Sequence, residues 1–336
     1  MSKRTDMVEK ISISADAIKL HRKLTVVDCH CDTILQVAKG KAKLGQYNET
    51  GHIDIYKLQD GGIRVQFFAL FIEGFFKPYR ALSRTLQLID TFNTEIDSCG
   101  YILSPGLNMK QIKSDLKQGK IIAVMGIEGG EALNGDISAL RIFYKLGVRF
   151  LGLTWNQRNE IADGVGEKIT GGGLTCFGRN LVQEMNRLGM IIDLAHISEA
   201  GFWDVLEISG SPVMVSHANC KSLCNHPRNL NDEQIKALAE TGGILGLSFV
   251  PQFLSNDNPT INDLLDHIDH VARLAGTNLI ALGSDFDGIE KITPGLNNSS
   301  CYPSITAGLL ERGYTEKEIK GIMGENMIEF MKKVLH

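Results

Sequence analysis

The chain has 336 residues, 43% apolar and 22% charged, with a net charge of −4 and 35 glycines. These proportions exclude a disordered, collagen-like or coiled-coil chain, and scattered lysines and arginines leave no electrostatic footprint for nucleic acid. Seven cysteines without a CxxC spacing read as free thiols, Met1–Leu20 lacks the apolar centre of a secretory signal, and the longest apolar stretch, Phe67–Ile72, is too short to cross a bilayer. A cytoplasmic protein with no membrane partner is expected.

Eight short apolar runs rich in β-branched residues follow one another along the chain. They lie at 24–30, 63–72, 120–128, 148–155, 189–196, 212–217, 242–249 and 279–285. Unbroken rather than alternating apolar character marks strands covered on both faces, as in parallel sheets. Helical spacing fills the gaps. Leu82, Leu86, Ile89, Phe92 and Ile96 predict one buried stripe, and Leu181, Val182, Met185 and Leu188 another, closed by Gly189 at its C-cap. Asn231 with Gln234, and Thr315 with Glu318, predict capping boxes, the latter opening a C-terminal helix. Eight buried strands alternating with helices predict one (β/α)8 TIM-like barrel over residues 1–336, with insertions near 33–62 and 73–120; a doubly wound open sheet is the alternative.

Polar residues recur where these runs end: His30 and Asp32 after the first, Glu128 on the third, His196 on the fifth, His217 on the sixth and Asp285 on the eighth. In a barrel those ends share one mouth, and ionisable groups gathered there need a neutralising partner, which a divalent ion supplies directly. Residues two apart on an extended strand point the same way, so His30 and Asp32 can reach one ion while Cys29 and Cys31 turn aside as packing residues. His196 and His217 then hold a second ion, with Glu128 bridging; nitrogen and oxygen donors favour two Zn2+, with cobalt or manganese as the alternatives. His52-Ile53-Asp54 repeats the spacing but closes no apolar run, so it is read as structural and kept outside the site.

With these residues come longer segments: DCHCDT at His30, GGIRVQFFA, GIEGG at Glu128, LGLTWN, GGLTCFG, DLAH at His196, SHANC at His217, HPRNL at Arg228, GSDFDG at Asp285, and a closing G-x-N at Gly324–Asn326. In this order, over residues 26 to 330, the chain resembles the membrane dipeptidase (renal dipeptidase) family of zinc peptidases in the amidohydrolase superfamily. The resemblance implies a binuclear zinc enzyme that hydrolyses dipeptides by metal-activated water, and a possible homodimer; whether dipeptides with a C-terminal D-residue are accepted stays open. It implies the same five metal ligands, with Arg228 receiving the substrate carboxylate and Asp285 contacting its amino group and moving a proton.

Two positions depart from the animal members. Trp155 stands in place of a histidine that stabilises the oxyanion, leaving that contact to Trp155, Asn156 or the metal. Phe253 replaces a tyrosine that helps hold the carboxylate, so a hydrogen bond there is expected to be lost. A hydrolase of another small amide or ester is the rival enzymatic reading, and a non-catalytic binding protein with a vestigial site is the reading of another class.

Overall fold

Each of the eight apolar runs contains a strand, and all pair in parallel, as their two-sided apolar character requires. The computed structural model describes residues 12–335, so most of the N-terminal stretch read above lies outside the described residues. The strands are β1 (Val26–Asp28), β2 (Ile63–Phe71), β3 (Leu103–Pro105), β4 (Ile121–Glu128), β5 (Val148–Gly152), β6 (Ile191–Asp193), β7 (Met214–Ala218), β8 (Ile244–Leu247) and β9 (Ile280–Leu282). Their order is β1-β2-β4-β5-β6-β7-β8-β9, and the ring closes where the Cys29 N–H donates to the Leu282 carbonyl (2.8 Å) and Cys31 bridges Phe286. This is a nearly closed (β/α)8 barrel, not an open sheet.

Three sequence expectations need correction. The segment 73–120 contains β3, a three-residue strand pairing with β4 outside the ring; a run that short gives no periodic signal. In the helix Ala81–Ser98, Leu82 and Leu86 are 44% and 43% exposed, and the inward stripe is Ala81, Thr85, Leu88, Ile89, Phe92 and Ile96. Close to the barrel, the first turn buries a small residue and Arg84, whose guanidinium is bidentate to Glu73 (2.9 Å each). The helix opened by the Thr315–Glu318 capping box also stops early, at Lys320; a wide π-type turn at Gly321–Glu325 separates it from a second helix, Asn326–Val334.

The barrel has two cores. Val27, Val65, Phe67, Ile122, Val124, Phe150 and Ile191 fill its interior, while the alternate residues Val26, Phe68, Ala123 and Met125 pack beneath the helices. On β4 the inward series 122, 124, 126 ends at Glu128. A Cβ at Gly126 would run into the Phe150 ring, so glycine there lets Phe150 fill the interior just below the mouth. At the opposite end, Met327, Phe330, Met331 and Val334 join the interior cluster as a stopper. Asn326 fastens it, its amide donating to the carbonyls of Thr277 (2.7 Å) and Ile280 (2.8 Å). Gly324 is needed because a Cβ would meet the Thr25 carbonyl.

Candidate active site

β1, β6 and β9 end two or three residues before His30, His196 and Asp285, which therefore sit on loops at the C-terminal mouth, whereas Glu128 and His217 lie within the last residues of β4 and β7. His30, Asp32, Glu128, His196 and His217 are all buried there and converge. His30 Nε2 lies 3.6 Å from Asp32 Oδ2, 3.7 Å from Glu128 Oε2 and 4.0 Å from Asp285 Oδ1. His196 Nε2 lies 2.9 Å from both Glu128 Oε1 and His217 Nε2, and His217 Nε2 is 3.8 Å from the same Glu128 oxygen. Glu128 therefore belongs to two donor groups at once, one carboxylate oxygen in each.

Strand alternation is not what brings His30 and Asp32 together. β1 stops at Asp28, Cys29 faces the barrel interior and Cys31 the outer core, and Asp32 (φ −104°, ψ 17°) already begins the turn into the helix Thr33–Ala38. Both cysteines are buried packing residues. His196 and Asp285 have φ of 70° and 62°, a left-handed conformation that costs a non-glycine residue about 1–3 kcal/mol and clusters at functional sites.

Polar groups behind these side chains orient them. Asn156 Oδ1 accepts from His196 Nδ1 (2.8 Å). Ser216 donates to Asp193 Oδ2 (2.6 Å), so its oxygen is left to accept from His217 Nδ1 (2.9 Å). With both Nδ1–H groups committed, the two Nε2 atoms face each other with bare lone pairs. Asp28, gripped by the Ser284 hydroxyl (2.6 Å) and N–H (2.8 Å), ties β1 to the loop after β9. Sequence reading missed Asp28, Asp193, Ser216 and Ser284. The available signal was an acid inside an apolar run two or three residues before a histidine, in VVDCH and IIDLAH.

The electrostatics match a cation site. Burial works against a charged His30, but Glu128, Asp32 and Asp285 outweigh it and lift the imidazole to about 10. Burial pushes the Asp32 and Asp285 carboxyls up. Glu128 stays low, since His30 and His196 overcome its burial. Burial, helped by Arg228, holds His196 and His217 well below the usual imidazole range, hence neutral and able to donate lone pairs. His30 Nε2 is buried with no hydrogen-bond partner. An orphaned ring nitrogen among carboxylates, and two imidazole lone pairs facing one another, are the donor set a divalent ion satisfies; three imidazoles, carboxylates and no thiolate suit zinc.

A cavity of about 610 Å³ opens above this cluster, in the size range of small-ligand pockets. Arg228 lines it, buried, its guanidinium donating to the His217 carbonyl (2.9 Å) and lying 5.4 Å from the centre of the Phe253 ring. The aromatic face thus takes up a cation–π role where a hydroxyl is absent. Asn229, also unrecognised in the sequence, donates to the Phe253 (2.8 Å) and Cys224 (2.9 Å) carbonyls and holds that stack in place. Trp155 forms a wall, 5.3 Å from the Phe71 ring and 6.0 Å from His196. Asn156 and Asp285 also line the cavity.

The model of the membrane dipeptidase family, peptidase family M19, matches residues 14–336. The chain belongs to that family. Among curated proteins, an uncharacterized dipeptidase of Schizosaccharomyces pombe is 34% identical over 92% of this chain and 80% of its own length, and the dipeptidase aclJ of Aspergillus oryzae is 34% identical over 85% and 71%. Among solved structures, a metallopeptidase of Rhodobacter sphaeroides bound to a phosphinate mimic of L-Ala-D-Ala superposes with a TM-score of 0.87 at 27% identity, covering 93% of this chain and 99% of that one. The dipeptidase AC, of family M19, gives 0.88 at 28% with the same coverage. The protein is accordingly a dipeptidase, a hydrolase of peptide bonds that works with a metal cofactor. Among the described residues, no helix is long and apolar enough to cross a membrane.

Proposed function

We propose that this family member cleaves dipeptides with two zinc ions, one held by His30 and Asp32, the other by His196 and His217, with Glu128 shared. The observation that carries the reading is the division of the Glu128 oxygens between two buried donor groups. When bound, the ions supply Lewis acidity toward the scissile carbonyl and bring the pKa of water toward about 7. Arg228 binds the substrate carboxylate with its always-charged guanidinium, which lies over the Phe253 ring. Asp285, its carboxyl raised by burial, holds the ammonium end and carries a proton to the leaving nitrogen. Asn156 and Ser216 keep His196 and His217 in the tautomers that present Nε2. Trp155 and Phe71 exclude water from one flank of the substrate.

Two charge-reading groups facing opposite termini favour substrates of two residues, since a longer peptide would bring a neutral amide to one of them. Acceptance of a C-terminal D-residue is supported by the R. sphaeroides relative, whose ligand mimics L-Ala-D-Ala. The test is turnover by zinc-reconstituted enzyme of L,L and L,D dipeptides beside N-acetylated, C-amidated and tripeptide versions. Cleavage of the free dipeptides alone is expected, and equal turnover of blocked forms would sink the reading.

A further inference from the structure

The second His-x-Asp, at 52 and 54, stays out of the donor cluster. Asp54 caps the helix Ile55–Asp60, accepting from the Tyr56 (3.0 Å) and Lys57 (2.9 Å) N–H groups. His52 does something else. Its N–H donates to Asp287 Oδ1 (2.9 Å), and its Nδ1 accepts the Asp287 N–H (2.8 Å), a reciprocal pair across 235 positions of sequence. Its ring also packs 5.3 Å from that of Phe286.

Asp287 has no polar group left over. Oδ2 accepts from the Thr33 hydroxyl (2.6 Å) and its carbonyl from the Gln36 amide (3.2 Å), so all four of its hydrogen-bonding groups are tied to the insertion between β1 and β2. Asp287 is itself left-handed (φ 65°), two residues after left-handed Asp285. Loop 284–288 thus holds two costly conformations that need outside support. Tolerance for movement is small, because a Cβ at Gly288 would collide with the carboxylates of both Asp32 and Asp285.

We propose that His52 is a positioning residue: by clasping Asp287 it holds loop 284–288 so that the Asp285 carboxylate faces the substrate ammonium. The insertion is then part of the substrate-binding apparatus. This rests on the reading of Asp285 as a substrate contact. Nδ1 acts as an acceptor, so His52 works as the neutral Nε2–H tautomer, and an asparagine, whose amide oxygen sits near the place of Nδ1, can substitute for it.

The test uses zinc-loaded full-length protein, with calorimetric binding of a phosphinate analogue of L-Ala-D-Ala that keeps a free amino terminus, alongside kcat/KM, zinc content and Tm. His52→Leu is expected to weaken analogue binding and lower kcat/KM by about tenfold to a hundredfold with zinc content unchanged, the scale of an ångström-sized misplacement. His52→Asn is expected to recover most of that loss. In an Asp285→Asn background, His52→Leu should add almost nothing, since both changes remove one contact. A lower Tm with unaltered binding, failure of His52→Asn to rescue, or the same further loss in both backgrounds would overturn the clasp. The two failures are distinguishable: a silent Asp285→Asn refutes the substrate role of Asp285, whereas an effective Asp285→Asn with a silent His52→Leu refutes the positioning role alone.

Discussion

At the N-terminal ends of its strands the barrel is stoppered by Met327, Phe330, Met331 and Val334, buried against apolar neighbours, with the Asn326 amide nitrogen donating to two backbone carbonyls. At the C-terminal ends the same interior finishes in three imidazoles and three carboxylates, with one ring nitrogen orphaned and two more facing each other. The first end is packed as a stable core should be. The second concentrates buried charge and left-handed backbone that the rest of the fold must support. The contrast teaches that stability and chemistry are separated along the barrel axis, so substitutions at the two ends should fail in different ways.

The sharpest way to break that separation is at Glu128. Glu128→Gln should lower kcat/KM by about a thousandfold or more, the rate equivalent of several kcal/mol of lost metal-assisted stabilisation, and reduce bound metal measured by elemental analysis, while leaving the fold intact by circular dichroism. Retention of full activity would end the shared-carboxylate model. Phe330→Ala addresses the other end and should cost about 3–5 kcal/mol in denaturant unfolding by opening a cavity, with kcat/KM unchanged below the new melting temperature. If it instead lowers kcat/KM in fully folded protein, the two ends are coupled.

Ser216→Ala sharpens the comparison within the mouth. It unties His217 Nδ1 from Asp193 and should weaken metal affinity by about tenfold to a hundredfold in a chelator competition, without touching the substrate cavity. Arg228→Lys should be milder, raising KM by roughly tenfold as a point charge replaces a planar, ring-stacked guanidinium, with little change in kcat or metal content. A fall in metal content there would mean that Arg228 and the donor cluster beneath it are not independent.

Much of the mouth is legible from sequence because a parallel strand covered on both faces must be apolar throughout, so the polar residue where such a run stops is conspicuous. His30, Glu128, His196, His217 and Asp285 stand out for that reason. Asp28 and Asp193 do not, being acids inside runs, and their value appears only with Ser284 and Ser216 beside them. The outward face of Leu82 and Leu86 was equally hidden, because hydrophobicity alone ignores a partly buried ion pair such as Arg84 with Glu73.

Local chemistry written in the chain determined the strands, the capping boxes at Asn231 and Thr315, the closing of a helix at Gly189, and which residue types gather at the mouth. Only the folded arrangement decided that one carboxylate serves two donor groups, that hydroxyl and amide partners select the tautomers of His217 and His196, and that His52 grips Asp287. The physical reason is range. Periodicity and capping act over a few residues of backbone, whereas a hydrogen bond between residues 235 positions apart exists only after closure of the barrel has carried the two loops to the same rim.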